Sequence, residues 1–480
     1  MNKLTVTLKQ HTPLIHFQHD QEGATLRASE VKPKLDKFIY NKWFNEKQRN
    51  KEAVFREYGK YTVGYDDKFK KTLAAFEKLD DSRKKTFLDN FRWALDYKMS
   101  FISNQTNITI IRPHHENSPM YFGNMGKNNE KKHFTKANFI EGKILTQHQQ
   151  LITDIKNNLP DFFFTHNFGT RQSKGYGSFT VDKINNESVD FKFGAKYCFR
   201  IETNSWQDAL FKTGLFYQSL RSGINIGRPM YSDVKGTNKN NAIKHAIKHQ
   251  ELETAFYMKP IVFLYAKNEK QQWDKKTIKE IYFNNSWYYR KASKKELQKY
   301  SSKNNFGLIE TSGLNTQIKN RNSDVLNFSS EKTGNNHYFD YRDLFGLSSE
   351  EKWYSYGAEI SKENEDINRY KSPIMFKPIQ SDDGFCIFIL LSEIDAGYVN
   401  QAFTIKSIEY KETNSSLKLQ IPDKKNFVFD LFEFIVNHVN VNDCIEEKYR
   451  KYTEKGINYY DVLSDIYSQI KANLKCNTPQ

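Results

Sequence analysis

The stretch NFGTRQSKGYGSFTV, from Asn167 to Val181, constrains the fold of this 480-residue chain more than any other. It holds three of only 22 glycines, together with one Arg and one Lys. Glycine adopts left-handed backbone conformations at no steric cost and lets another group approach the backbone closely. An apolar helical pattern precedes the stretch, and a strand-like pattern follows it. The sequence therefore predicts a sharp loop between a helix and a strand, which serves either as a tight turn or as an anion-binding loop.

The first 45 residues predict a strand, a loop and a helix. Leu4, Val6 and Leu8 alternate with polar residues, which is typical of a strand with one buried face. Ser29 is the predicted N-cap of the helix that follows. Later patterns predict a strand in NITIIRP, a helix that stops at Pro160, and then the glycine loop and a strand. Strand, helix, strand, helix, glycine loop and strand is the order expected of a ferredoxin-like half.

A similar series of elements restarts near residue 196. A strand in YCFRIET precedes a helix that Ser205 is predicted to cap and Gly223 to end. The stretches MKPIVFLYA and FCIFILLSEI are predicted to be buried strands. Between them, residues 267–370 are rich in Lys, Asn and Ser, which indicates insertions and loops. Because the chain is longer than a single core usually supports, we expect two domains, 1–195 and 196–480.

The charge of the chain favours a polyanion as its partner. The formal net charge is +16, with an isoelectric point near 9.2. Each phosphate contact releases condensed counterions, so a basic protein is attracted to nucleic acid. A Lys-rich composition also arises from genomic base bias, and the charge alone therefore does not identify the polyanion.

The cysteines and the apolar runs predict a cytoplasmic protein without a membrane segment. Cys198, Cys386, Cys444 and Cys476 lie far apart, without the spacing of a zinc knuckle or a disulfide framework. The N-terminal residues MNKLTVTLKQHTP contain no apolar signal segment, and the longest apolar runs have the length of strands. We expect neither a metal ion nor another cofactor.

The glycine loop does not match the common nucleotide-binding motifs. Five residues separate Gly169 from Gly175, no Lys-Ser or Lys-Thr follows the second glycine, and a strand rather than a helix comes next. The loop instead combines accessible backbone N–H groups with Arg171 and Lys174 as phosphate partners and Tyr176 as a stacking surface. From these residues alone, a structural turn and an anion-binding loop are equally supported.

Three segments carry a resemblance to a known family. A helix, a G-x-R-x-x-K-G-x-G-S loop and a strand resemble the glycine-rich loop of the RAMP superfamily of CRISPR-associated RNA-binding proteins. The N-terminal LKQHTPLIHFQHDQEGATLRASEVKPKLDKFI is similar to the first strand, TP pair, LR dipeptide and S-x-x-K helix of that family. YKSPIMFKPI, from Tyr370, resembles the SP-x-x-x-KP segment of larger members. The chain most resembles the large end-capping RAMP subunit of the type III, Cmr-type, effector complex.

This resemblance implies an α+β fold of two ferredoxin-like (RRM-like, βαββαβ) RAMP modules with helical and loop insertions. It also implies an RNA-binding subunit of a CRISPR antiviral defence complex, which grips single-stranded guide RNA or its end, with target RNA as a second candidate. Other CRISPR effector subunits are the expected protein partners. The implied RNA-binding residues are Arg27, Ser29, Lys32, Lys34, His166, Gly169, Arg171, Lys174, Gly175, Tyr176, Gly177 and Ser178.

A metal-independent RAMP-type endoribonuclease is the alternative function. Some members of the superfamily use a His as general acid or base, but no partner at a fixed spacing marks one here, and we assign no catalytic residue. In HAIKH, His245 and His249 lack the Glu of the metalloprotease motif, which favours an incidental helix face. The Asp pairs that begin at residues 66, 80 and 382 are predicted to be solvated turns. The candidate histidines are His11, His16, His19, His114, His115 and His166.

Overall fold

The computed structural model is mixed α and β. Its described residues are 1–15, 25–63, 66–103, 108–112, 118–120, 133–190, 194–229, 252–269, 337–348, 350–353, 358–407 and 417–472. These residues group into two compact units. The first unit draws on Met1–Leu210 and Met375–Leu390, and the second on Phe211–Ile374 and Leu391–Leu474. The chain passes from the first unit to the second between Leu210 and Phe211, which lie within a helix. It returns to the first unit at Met375 and leaves it again after Leu390, within FCIFILL. The boundary between residues 195 and 196 stays a prediction.

The first part of the chain, up to the helix that contains the division, alternates helices and strands. Its elements are β1 Asn2–Gln10, β2 Leu14–Ile15, α1 Ala28–Glu46, α2 Lys51–Tyr58, α3 Asp66–Glu77, α4 Asp81–Asn90, β3 Lys98–Ile102, β4 Ile108–Ile111, β5 Phe134–Ala137, β6 Phe139–Thr146, α5 Gln149–Thr165, β7 Phe179–Ile184, β8 Glu187–Ser188, β9 Tyr197–Ile201 and α6 Trp206–Arg221.

One antiparallel sheet organises the first unit. Its strand order is β3-β6-β1-β7-β8, and β1 pairs with both β6 and β7. The apolar side chains of β1, predicted from their alternation, are buried in one core with Val31 and Leu35 of α1 and Leu151 and Ile155 of α5. The two helices therefore cover one face of the sheet.

The elements after α6 form several smaller sheets and a C-terminal helical region. They are β10 Ile224–Pro229, β11 Leu252–Met258, α7 Ile261–Asn268, β12 His337–Phe339, β13 Leu347–Ser348, β14 Glu350–Trp353, β15 Ala358–Glu363, β16 Arg369–Tyr370, β17 Ile374–Ser381, β18 Gly384–Leu391, β19 Ala402–Ser407, β20 Leu417–Gln420, α8 Phe427–His438, α9 Val441–Cys444, β21 Thr453–Glu454, β22 Ile457–Asn458 and α10 Tyr459–Lys471. Short 3₁₀ turns span Gly59–Tyr61, Gln172–Lys174, Tyr341–Phe345 and Glu447–Tyr449.

The second unit contains a sheet of order β12-β20-β19-β15-β14, in which β12 and β20 run parallel. Near its centre, the buried Lys362 forms ion pairs with Asp340 and Asp343. The hydroxyl of Tyr398 donates to the backbone oxygen of Asp343 at 3.0 Å. The buried charges are therefore paired, which offsets the cost of removing them from water.

Several predicted elements are confirmed, and three details are wrong. Helix α6 is capped as expected, since the N–H of Asp208 donates to Ser205 Oγ at 3.4 Å. Helix α1 begins at Ala28 with Arg27 as its N-cap, so Ser29 lies inside the first turn. Helix α5 continues through Pro160 to Thr165, because the buried phenylalanine rings that follow outweigh one missing backbone hydrogen bond.

The third wrong detail is the strand predicted in MKPIVFLYA. Only Met258 belongs to a strand, and residues Ile261–Asn268 form α7 with Pro260 as its N-cap. A short apolar run does not distinguish a buried strand from a buried helix. The proline decides here, because it is well tolerated at the start of a helix and donates no hydrogen bond to a sheet.

The strands β17 and β18 join β9 in a separate sheet of order β17-β18-β9. Side chains from these strands, Cys198, Ile379, Cys386 and Phe388, pack with Phe164 of α5. The FCIFILL segment is thus confirmed as a strand, and its sheet packs against the end of α5.

The ammonium of Lys377, in β17, lies fully buried at the end of α5. Its Nζ donates to the backbone oxygens of Phe163 at 2.7 Å, His166 at 2.9 Å and Phe179 at 2.8 Å, and lies 3.3 Å from Asn167 Oδ1. Burial lowers the pKa of Lys377 well below its usual value. The oxygens and the C-terminal end of the helix oppose that shift, since both favour a positive charge.

Within the described part of the chain, no helix is long and apolar enough to cross a membrane.

Replacing Lys377 by Met should lower the free energy of unfolding by about 3 kcal/mol, because several buried oxygens lose their donor. Urea denaturation of the purified chain measures this change. The matched control is Lys143→Met at an exposed site of the same unit, which should change stability by less than about 0.5 kcal/mol. Equal effects of the two substitutions would show that the Lys377 contacts contribute little.

Candidate functional site

The glycine loop closes on itself and then wraps around the segment that follows β1. Asn167 and Ser178 form an isolated antiparallel bridge, which joins the two ends of the loop. From the loop, the N–H of Thr170 donates to the oxygen of Ile15 at 2.8 Å, and the N–H of Gly177 donates to that of Pro13 at 2.9 Å. The TP-containing segment and the loop, more than 150 residues apart in the chain, therefore form one structure.

Close packing explains all three glycines. Gly169, Gly175 and Gly177 have φ angles of +77°, +89° and +66°, in the left-handed region. A Cβ on Gly177 would overlap the carbonyl oxygen of Phe168, and one on Gly175 would lie 2.8 Å from Pro378 Cγ. The turn that the sequence predicts is thus present, and its glycines are required by backbone conformation and by space.

The backbone N–H groups of the glycines already have protein acceptors. Gly169 donates to the carboxylate of Glu30 at 2.7 Å, and Gly175 to the oxygen of Gln172 at 3.2 Å. Gly177 donates to Pro13, as described above. The interpretation of the loop as a set of unoccupied N–H donors is therefore wrong for these three positions.

The tip of the loop, residues 170–174, is half-buried, whereas the residues on both sides of it are buried. Arg171 has a left-handed backbone conformation, with φ 59° and ψ 28°, and leads into the 3₁₀ turn Gln172–Lys174. A non-glycine residue in this region is uncommon and occurs where the surrounding structure holds it in place. The two cations of the motif, Arg171 and Lys174, thus lie on the part of the loop that reaches the surface.

The start of α1 contacts the loop directly. Besides Gly169, the Glu30 carboxylate binds Lys34 Nζ at 3.2 Å. Lys34 also lies 3.4 Å from the oxygen of Asn167 and 4.8 Å from the centre of the Phe168 ring. The structure therefore brings together two groups of predicted residues, Lys34 of the first helix and the glycine loop.

The remaining residues predicted at the helix start differ in exposure. Ser29 is exposed, and Arg27 is half-buried at the N-cap position. Lys32 binds the carboxylate of Asp36 at 3.0 Å and the oxygen of Leu95 at 2.7 Å. The ammonium of Lys32 therefore already has two oxygen partners within the fold, unlike the solvated lysine expected of an RNA-contacting surface.

Tyr176 and Ser178 are fully buried within the loop. The Tyr176 hydroxyl donates to the oxygen of Pro119 at 2.8 Å, and Ser178 Oγ donates to that of Pro378 at 2.6 Å. A buried ring cannot stack on a base, so the predicted stacking role of Tyr176 is wrong. Both side chains instead fix the loop to neighbouring segments.

His166 is half-buried at the C-terminal end of α5. Its Nδ1 lies 2.9 Å from the oxygen of Phe162, and its ring packs against those of Phe162 and Phe38. Its own carbonyl oxygen accepts from Lys377. His166 therefore links the end of α5 to the base of the loop.

His11 is buried and hydrogen-bonded on both sides of its ring. Its Nδ1 accepts from the N–H of Gln380 at 3.0 Å, so its Nε2 is protonated and donates to Thr180 Oγ1 at 2.7 Å. Burial lowers the pKa of His11 well below 6.5, and the nearby Lys377 lowers it further. This imidazole is a structural residue in the interior. The other candidate histidines lie outside the described residues, namely His16, His19, His114, His115, His245 and His249.

Two side chains of the acidic pairs, those of Asp80 and Asp383, make structural contacts. Asp80 caps α4 by accepting the N–H of Arg83 at 2.8 Å. Asp383 accepts from Ser381 Oγ at 3.0 Å and forms an ion pair with Arg200. Within the described ranges, no three His, Cys, Asp or Glu side chains group as they would around a metal ion.

Sequence reasoning missed some of the residues that hold the glycine loop in place, because their partners lie far along the chain. Asn167 donates from Nδ2 to the oxygens of Gln172 and Phe376, both at 2.8 Å, and so links the base of the loop to its tip and to β17. Thr12 Oγ1 donates to the oxygen of Gly175 at 2.6 Å. The SP-x-x-x-KP pattern did mark the segment of Lys377, but no signal in the sequence pairs it with the loop.

Two family models match the chain, one after the other. The model described as the Cmr1 N-terminal domain matches residues 1–224, and that described as the Cmr1 C-terminal domain matches residues 257–458. Comparison with curated protein sequences finds no match.

Two solved structures are similar to parts of the chain. The first is described as a cryo-EM structure of the Type III-B Cmr-beta bound to cognate target RNA; it shares 13% identity over 38% of this chain and 59% of its own, with a TM-score of 0.20. This chain thus spans less than two thirds of the length of the matched chain in that structure. The second, a crystal structure of Cmr1 from Pyrococcus furiosus in its apo form, shares 10% identity over 45% of this chain and 72% of its own, with a TM-score of 0.28.

Replacing Gly177 by Ala should lower the free energy of unfolding by about 2 to 4 kcal/mol, because it adds both left-handed strain and overlap with the Phe168 carbonyl. Thermal and urea denaturation measure the loss. Gly194→Ala is the matched control, since a Cβ there meets nothing within 4 Å. If Gly177→Ala leaves the free energy of unfolding unchanged, the loop adopts another conformation.

The buried His11 should make the chain less stable at acidic pH. Its pKa in the folded chain is below 6.5, so the unfolded chain binds the proton more readily, and stability falls as the pH is lowered through 6.5. Between about pH 7.5 and about pH 5, His11→Gln should abolish up to about 2 kcal/mol of this loss. Urea denaturation at both pH values is the measurement. The exposed His438→Gln is the control, and parallel losses in wild type and His11→Gln would contradict the assignment.

Proposed function

Because this chain belongs to the Cmr1 family, we propose that it is an RNA-binding RAMP subunit of a type III CRISPR effector complex. In this role it grips the backbone of single-stranded guide RNA, or the end of that RNA, and contacts other subunits of the complex. Two family models that together cover most of the chain support the assignment, as does the resemblance of its three motif segments. The contact between α1 and the glycine loop is the observation that carries the proposal.

The five-stranded sheet of the first unit and the helices α1 and α5 form, in this proposal, a ferredoxin-like module. In chain order its principal elements are β1, α1, β3, β6, α5 and β7, which is a βαββαβ series. The sheet order β3-β6-β1-β7 places the first strand between the third and the fourth, and neighbouring pairs are antiparallel. The additional helices α2 to α4 and the strands β2, β4 and β5 are then insertions into this module.

A second ferredoxin-like module is supported by β9, β17 and β18. Helix α6 follows β9, and α8 follows β18. The order β17-β18-β9 corresponds to β3-β6-β1 of the first module, with β18 antiparallel to β9. The long segment between α6 and β17 is then an insertion between the first helix and the second strand.

The grip on RNA is made by side chains rather than by the glycine backbone. Since the glycine N–H groups already bind protein oxygens, phosphate recognition falls to the cations on the half-buried tip of the loop. Arg171 offers a planar fork of donors for phosphate oxygens, and Lys174 a point charge. Contacts of this kind are insensitive to base identity and weaken as salt rises.

A tightly held loop suits this role. Phe168, Thr170 and Gly177 are fixed by backbone hydrogen bonds, and Ser178 by its side chain. Little conformational entropy then remains to be lost when a phosphate binds to the tip of the loop.

Replacing both loop cations, as Arg171→Ala/Lys174→Ala, should weaken binding of labelled single-stranded RNA by about tenfold near physiological salt, because two phosphate contacts are lost. The slope of log affinity against log salt should become shallower by about 1.4. Fluorescence anisotropy at several salt concentrations measures both quantities.

The matched control is Lys85→Ala/Arg92→Ala, which removes the same charges from exposed positions in and after α4. This control should keep most of the affinity. If the two double variants bind RNA equally well, the glycine loop is a structural turn only, and the proposed grip is wrong.

A further inference from the structure

The face of the first-unit sheet that is turned away from α1 and α5 is open. The residues of β1 on this face are Lys3, Thr5, Thr7 and Lys9, and all four are exposed or half-buried, whereas the residues between them are buried. Strand β6 shows the same alternation, with exposed positions from Phe139 onward. A sheet with two helices on one face therefore leaves a broad, accessible surface on the other.

The strand register defines how side chains lie across this surface. Lys3 is opposite Leu145, which is opposite Lys98 on β3. In the next row, Thr5, Lys143 and Ser100 are neighbours. A third row contains Lys183, Thr7, Glu141 and Ile102, and a fourth contains Thr180, Lys9 and Phe139.

Five lysines and one glutamate are the charged residues of these rows, Lys3, Lys9, Lys98, Lys143, Lys183 and Glu141. Lys143 is a diagonal neighbour of both Lys3 and Lys98, at about 7–8 Å, so these three charges repel one another across the sheet. None of the five forms an ion pair with a residue in the described ranges. This concentration of positive charge favours an anionic ligand.

Two large apolar side chains lie on the same face, Phe139 opposite Lys9 and Ile102 opposite Glu141. Phe139 is 46% exposed and Ile102 is 70% exposed, which makes them two of the most exposed large hydrophobic residues of the described chain. Phe139 is the cross-strand partner of Lys9. An exposed aromatic ring beside a cation is an arrangement that holds single-stranded nucleic acid, because the ring stacks on a base while the cation binds a phosphate.

We propose that this open sheet face is a second binding surface for single-stranded RNA, with Lys3, Lys98 and Lys143 on phosphates and Phe139 stacked on a base. The inference rests on the proposed RNA-binding function, and it extends that function to a surface other than the glycine loop. Along β1, Lys3 and Lys9 are about 20 Å apart, which is room for several nucleotides.

The accessible surface ends before the glycine loop. At this end of β1 and β7, Thr180, His11 and Ser178 are buried. The proposed site on the sheet is therefore separate from the tip of the loop.

The test is the affinity of Lys3→Gln/Lys98→Gln/Lys143→Gln for labelled single-stranded RNA of about 20 nucleotides, measured by fluorescence anisotropy. Loss of three phosphate contacts should weaken binding at least about tenfold near physiological salt and make the salt slope shallower by about 2. The control, Lys71→Gln/Lys78→Gln/Lys85→Gln, removes equal charge from exposed positions in and around α3 and α4. Circular dichroism and thermal melting verify that both variants are folded.

Photo-crosslinking of wild type and Phe139→Ala tests the stacking role of Phe139 independently of the affinity measurements. Photo-crosslinking of wild type to RNA that contains 4-thiouridine should place the crosslinks on the β6 and β1 peptides, and Phe139→Ala should remove those on β6. Triple and control variants that bind equally, or crosslinks confined to other peptides, would overturn the sheet-face inference. Wild type that binds no single-stranded RNA would overturn the proposed function as well, so the two failures are distinguishable.

Discussion

The buried ammonium of Lys377 is the interaction on which the arrangement of the loop depends. It binds oxygens at the end of α5 and at the start of β7, the two elements that flank the glycine loop. Its own strand comes about 200 residues later in the chain, so these contacts close a very long loop. The cost of closing a loop rises only slowly with length, and one well-satisfied buried charge, together with the packing around it, can hold such distant segments together.

Because these contacts fix the loop, its polar groups fall into two sets. The backbone N–H groups face the interior, and the cations lie near the surface. Inside, Glu30 and Pro13 accept from the glycine N–H groups that a phosphate would otherwise use. Outside, the cations of the tip stay near the surface. The same glycines that permit the turn thus commit their backbone donors to the fold, so in the proposed RNA-binding role recognition passes to side chains. We expect such contacts to depend on charge and shape more than on base sequence.

Local patterns predicted much of the fold. The alternation around Val6 predicted β1, and the apolar spacing from Trp206 predicted α6, because each pattern reports which face of one element is buried. The location of the loop between a helix and a strand followed in the same way. Tertiary contacts decided the rest: buried phenylalanines extended α5 past Pro160, and the partners of Glu30 and Lys377 lie too far along the chain for spacing to reveal.

The strand pattern that predicted β1 also contains information about its other face. In KLTVTLK the apolar residues specify the core, and the residues between them begin and end with lysine. A helix-covered sheet needs polar residues on its open face, but it does not need lysines that repel one another across neighbouring strands. Mixed charges would keep such a face equally soluble and more stable. Because five of the six charges are positive, the open face carries a cost to folding that binding of a polyanion would offset, and this supports the RNA-binding role that we propose for it.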